Sequence, residues 1–210
     1  MSALVPSEVG RARRIFLGVS GASGALYAVR TLQMLVAAGA QVDLAYSPSA
    51  CRVLREECAL DFDEKDPRPL LAAGQDAARV RCHAHADIGA PPASGTALGE
   101  AVVLVPCSLT TLAGVAEGRA GNLLERAAQV ALKEGRKLVI VPRETPLART
   151  HLDQLSRLAW AGAIILPASP GFYHHPHGIM DLVDHVCAKI LGVLEIPQSV
   201  VPPWDGGRGA

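Results

Sequence analysis

The chain has little of what would mark it as secreted, membrane-bound or nucleic-acid-binding. Its five cysteines, at 51, 58, 82, 107 and 187, are odd in number and form no CxxC pair, which speaks for reduced thiols over disulfides or a zinc site. Aromatic residues make up only 4%, too few for a platform that stacks single-stranded bases. Neither sign of charge dominates, with 20 basic and 20 acidic residues and no basic block, so nucleic acid is not an expected partner. No apolar run reaches the roughly 18 residues of a membrane span, and the N-terminal stretch lacks a signal-peptide core. These absences lead to the expectation of a cytoplasmic protein with no membrane span. No internal repeat is visible, and 210 residues at 50% hydrophobic and 19% charged fit one α/β domain with a substantial core.

What is present alternates. Apolar strand-like runs at 15–19, 41–46, 101–105, 137–141 and 163–166 are separated by helical patterns at 25–38, 49–58, 108–116, 122–134, 148–160 and 179–194. This order predicts a Rossmann-like, flavodoxin-type doubly wound parallel sheet in a single domain. Two loops stand out: 83–99, rich in Pro, Gly and Ala, and 167–178, carrying aromatics and histidines. Both are expected beyond the carboxyl ends of the strands, where such folds place their sites.

The most informative stretch is Arg14 to Gly24. A buried strand runs into Gly18, Gly21 and Gly24 with serines at 20 and 23, and a helix follows. Such a turn can point backbone N–H groups at a phosphate, or can be glycine-rich because the crossing is crowded. Ser108 to Thr111, after the third strong strand, can bind a second polar group, or Ser108 can be a plain N-cap. Arg143 and Glu144 follow the fourth strand, a fork for phosphate and a carrier for a proton, or a solvated pair. Tyr173 in PGFYHHP offers a phenol. His174, His175 and His177 lack a further ligand at helical spacing, so a metal is not expected. The acidic run at 61–66 reads as a charged surface turn.

These residues carry a family resemblance. GVSGASG at 18–24, APPASG at 90–95, PCS at 106–108, GNLLERAAQVALKEGRKLVIVPRETPL at 121–147 and ILPASPGFYHHP at 165–176 resemble the flavin prenyltransferases of the UbiX type. The likeness runs from about residue 14 to 204, which sets the expected domain and leaves 1–13 and 205–210 as expected flexible termini. The asparagine and methionine motifs of the related peptidyl-cysteine and phosphopantothenoylcysteine decarboxylases are not found.

The resemblance implies a homododecamer that binds reduced FMN and dimethylallyl phosphate, joins the prenyl group to flavin N5 and C6, and supplies prenylated FMN to UbiD-type decarboxylases. It places Gly21, Ala22, Ser23, Ser47, Ser108, Leu109, Thr110, Thr111 and Arg143 on FMN. Around the prenyl phosphate it places Glu57, Arg126, Lys133, Arg143, Glu144, Tyr173, Lys189 and Trp204, several of them from neighbouring subunits. Ser23, Lys133, Glu144 and Tyr173 are the implied catalytic set. Three positions depart from the family pattern: Lys189 for a frequent arginine, Ile88 for an occasional tryptophan, and Pro48 for a frequent lysine. An FMN-dependent oxidative decarboxylase and a non-catalytic flavin carrier are the alternatives. A second phosphate pocket would have no use in a carrier.

Overall fold

The computed structural model describes residues 12–202. Six parallel strands, β1 (Arg14–Val19), β2 (Gln41–Tyr46), β3 (Val80–His83), β4 (Ala101–Cys107), β5 (Lys137–Pro142) and β6 (Ile164–Ile165), lie in the order β3-β2-β1-β4-β5-β6. The helices are α1 (Ala25–Ala37), α2 (Pro48–Cys58), α3 (Leu109–Ala116), α4 (Leu123–Lys133), α5 (Arg149–Trp160) and α6 (Ile179–Val193). Central strands of such a sheet are covered on both faces and therefore read as unbroken apolar runs. All seven residues of β4 are buried, as are five of six in β1, β2 and β5.

The two-residue alternation of a strand divides the core. Ile15, Leu17 and Val19 face α1 and α6 with Leu32, Leu35, Ile190 and Leu191, whereas Phe16 faces α3 and α4 with Leu112, Leu123, Leu124 and Val130. Helices α1 and α6 are further joined by the Arg30 to Asp184 ion pair and by Thr31 Oγ1 donating to Cys187 Sγ at 3.4 Å.

Three expectations are corrected. The edge strand β3 was not anticipated: only Val80 of its four residues is buried, so no apolar run marks it. What ties it in is polar, since the buried Asp43 of β2 receives His83 Nε2 and Arg14 Nε, each at 2.7 Å. The last strand is shorter than the 163–166 run. The 83–99 loop does not stay at the carboxyl end: His85 O accepts from Leu123 N there, but Glu100 N already reaches Arg14 O at the opposite edge. Arg13, one residue outside the expected domain, is held by Glu100 and by the carbonyl of Glu195.

Candidate active site

Strand order reverses between β1 and β4, and chains leaving these two strands diverge to opposite faces, opening a crevice at their carboxyl ends. Ser20 closes the base of that crevice. It is 1% exposed; its amide and hydroxyl both donate to Pro106 O, at 3.2 and 2.9 Å, and its Oγ accepts from Ser108 N at 2.6 Å. The turn after β1 and the start of α3 are thus one unit. The sequence showed Ser20 only as a neighbour of the glycines, because its partners lie 86 and 88 positions away.

Gly21 is required by contact. A Cβ there would lie 2.3 Å from Ser49 Cβ, at the start of α2. Ser47 caps that helix, its Oγ accepting from Ala50 N, with Pro48 in the first turn where a missing N–H costs nothing. Ser108 likewise caps α3 through Thr111 N and also meets Thr111 Oγ1. The capping roles are therefore real. They leave other donors unspent: among the described residues the amides of Gly21, Ala22 and Ser23 find no acceptor, and those of Leu109 and Thr110 belong to a first helical turn with none inside the helix.

The reading of the first turn as a phosphate cradle needs correction at α1. Gly24 sits at φ +105°, a region open to glycine, and offers no side-chain cap. The cap comes from Glu57 in the last turn of α2, whose Oε2 accepts from Gly24 N and Ala25 N, both at 2.8 Å. An internal carboxylate thus fills the anion position at this helix terminus. Burial alone would raise the Glu57 pKa; hydrogen bonds from Ser23, Ala25 and Gly24, with the field of Arg143, outweigh it and hold the carboxyl below its usual value. Arg143 adds a bond of its own, Nε to Ser23 O at 2.8 Å, and has no carboxylate partner within 4 Å among the described residues. Glu144 is exposed and accepts from Thr145 N.

The loop after β6 starts beside Arg143, since Ala168 N donates to Pro142 O. It carries Tyr173, whose Oη lies 3.3 Å from His185 Nε2 on α6. Tyr173, His185 and Lys189 line one groove with Gln198, Val201 and Pro202. Pro202 is the last described residue; Trp204 lies outside the described residues. Cys107, at the end of β4, is fully buried and its thiol is pushed up to about 12 by desolvation, which removes it as a nucleophile.

One implied site residue, Lys133, does not join this edge within one chain, and a second, Arg126, is turned to another partner. Lys133 ends α4 and pairs with Glu134, just before β5 begins, whereas Arg143 follows the end of β5. Six strand residues separate the two edges by roughly 20 Å. Arg126 points along α4 to Ala93 O at 3.2 Å, under the 90–95 segment. Glu57, Ser23 and Arg143 do meet, and so do Tyr173 and Lys189. Among the described residues no group of three His, Cys, Asp or Glu is placed to hold a metal.

Fold and site define a flavodoxin-like doubly wound domain with a polar crevice at its switch point. The model of the Flavoprotein family matches residues 5–196. The flavin prenyltransferase UbiX of Pseudomonas aeruginosa is 45% identical over 196 residues, covering 91% of this chain and 93% of that protein. UbiX of Synechocystis is 41% identical, covering 93% and 98%. The crystal structure of AnUbiX (PadA1) in complex with FMN and dimethylallyl pyrophosphate has a TM-score of 0.83 at 33% identity, covering 93% and 99%. A dodecameric FMN-dependent UbiX-like decarboxylase from Escherichia coli O157:H7 has a TM-score of 0.82 at 35% identity, covering 92% and 100%. The chain belongs to the flavoprotein family and, within it, to the UbiX-type flavin prenyltransferases.

Proposed function

We propose that this protein transfers the dimethylallyl group of dimethylallyl phosphate to N5 and C6 of reduced FMN and releases phosphate. The observation that carries the reading is the pairing of two donor sets at one edge. Amides of Gly21 to Ser23 and of Leu109 and Thr110 flank the switch point, Arg143 and Tyr173 follow the neighbouring strands, and Lys189, further along α6, shares the groove of Tyr173. The first set, with Ser47, Ser108 and Thr111 beside it, fits a flavin. The second suits a leaving phosphate.

Reduced FMN, when bound, supplies an electron-rich N5 and C6. The chain's task is the other half of the chemistry. An allylic phosphate leaves with the electron pair of its C–O bond, and without a metal its growing charge must be met by fixed donors; removing one such donor typically costs about 2.7–4 kcal/mol of barrier. Arg143 and Lys189 provide cations, Tyr173 a hydroxyl, and Ser23 fixes the crevice wall through its carbonyl bond to Arg143 and its contact with Glu57. Glu144 takes up the proton released at C6, directly or through the departing phosphate.

Lys133 can reach such a site only from a second copy. This supports assembly into the homododecamer, as do the exposed Trp160 (89%), Ile179 (71%) and Phe172 (68%). The product would serve UbiD-type decarboxylases, and five unpaired cysteines support a reducing, cytoplasmic setting. Anaerobic incubation of the reduced FMN complex with dimethylallyl monophosphate, and separately with the diphosphate, followed by mass spectrometry of the flavin, tests the reading. A gain of one prenyl unit is expected. Flavin unchanged by both donors overturns it, and oxidation state cycling without mass gain points to the oxidative decarboxylase.

A further inference from the structure

We propose that His185 is a positioning residue that aims the Tyr173 phenol into the groove shared with Lys189, and that protonating its ring releases this aim, giving prenyl transfer an acid limit. The functional half of this rests on the transferase reading above. His185 is 7% exposed and projects from α6 against the loop after β6. Its Nδ1 receives Gly171 N at 3.2 Å. A backbone N–H can only donate, so Nδ1 keeps its lone pair and the neutral ring carries hydrogen on Nε2. That Nε2, 3.3 Å from Tyr173 Oη, therefore donates to the phenol oxygen, and the phenol's own proton is not spent on the contact.

The loop grips the same ring a second time. His174 stacks on His185 with centroids 5.0 Å apart and planes 7° from parallel, and the Tyr173 ring stands edge-on to both, at 5.9 and 5.7 Å. Both ring nitrogens of His174 are buried without a hydrogen-bond partner among the described residues, so this ring serves by its face. One imidazole thus fixes backbone, phenol and stack together.

Protonation would undo the backbone contact that ties the loop to the ring, while Nε2 keeps its hydrogen toward the phenol. Nδ1–H would face the Gly171 N–H donor to donor, and a cation would lie on His174 with Lys189 one turn along α6. Carboxylates near the ring on α6 are already engaged: Asp181 accepts from His177 N and Gly178 N, and Asp184 is paired with Arg30 of α1. Burial first, then His174 and Lys189, push the His185 pKa below 6.5. The neutral ring is then the working form above pH 6.5, and the loop loosens as pH falls through the lowered value.

Hydrogen exchange of loop peptides and the pH profile of transfer test this on the full-length FMN complex. In His185→Phe the Gly171 amide should exchange about tenfold faster, and kcat should fall about tenfold while FMN affinity holds. His185→Gln keeps a donor near the Nε2 position but cannot titrate; it should recover most of the lost rate and flatten the limb, which in the parent falls about tenfold per pH unit. Exchange at Gly171 unchanged in His185→Phe overturns the proposal, as does an acid limb that persists in both variants. If the parent leaves flavin unmodified, the transferase reading fails, and exchange at Gly171 still decides whether His185 holds the loop.

Discussion

The crevice has two walls built on opposite plans. The wall formed by the turn after β1 and the start of α3 is stitched through a fully buried serine with three bonds to backbone groups. The wall formed by the loop after β6 is half exposed, and its phenol is held by side chains, the His185 imidazole among them. Rigidity therefore sits where a flat ring would have to be held in register. Adjustability sits where a leaving group must be gripped in one state and let go in the next.

Breaking the stitched wall should have the largest effect. Gly21→Ala would push a Cβ to 2.3 Å from Ser49 Cβ, and neither atom lies at the end of a flexible side chain. The turn or the start of α2 must move, at a cost of about 1–3 kcal/mol. Thermal unfolding should show that loss, and a flavin titration should show FMN affinity down by at least about tenfold. Ser20→Ala comes next. It removes the partner of the half-buried Ser108 N, a cost of about 1 kcal/mol, and should weaken FMN without changing which phosphate donor is accepted.

Much of the fold that carries this contrast was legible in the chain. Central parallel strands announce themselves as apolar runs, so β1, β2, β4 and β5 were found nearly residue for residue, and six helices followed from their periodicity. The edge failed for the same reason: β3 is bonded by Asp43, His83 and Arg14, which leave no hydrophobic signature. In the candidate site, residues contiguous with the glycine turn and the strand ends were legible as candidates. Glu57 as the cap of α1 was not, since its partners stand 32 and 33 positions away. His185 was invisible too, occupying one inward position of an apolar helix stripe. Lys133 stands at the opposite edge of the sheet from Arg143, a separation along β5 that the one-dimensional pattern does not reveal.

On the adjustable wall the effects should be selective. Tyr173→Phe keeps the ring and its stacking and removes only the hydroxyl, so FMN binding should be nearly unchanged while transfer falls about tenfold. Equal losses of binding and transfer would show that the two walls are a single unit.

The smallest effects should fall on Lys189, and they sharpen the comparison most finely. Lys189 lies one turn beyond His185 on α6 and lines the groove with Tyr173, yet its side chain makes no ion pair among the described residues. An ammonium acts on phosphate as a point charge, whereas a guanidinium offers a fork of similar reach. Lys189→Arg should therefore leave transfer within about twofold and tighten the apparent affinity for dimethylallyl phosphate slightly. Lys189→Ala should weaken that affinity about threefold to tenfold, an amount expected of one partly solvated charge, with FMN affinity unchanged. Saturation curves in dimethylallyl phosphate for the two variants and the parent measure this directly. If alanine matches lysine, the cationic side of the leaving-group pocket rests on Arg143 and on groups brought by another copy, and α6 contributes only the imidazole that holds the loop.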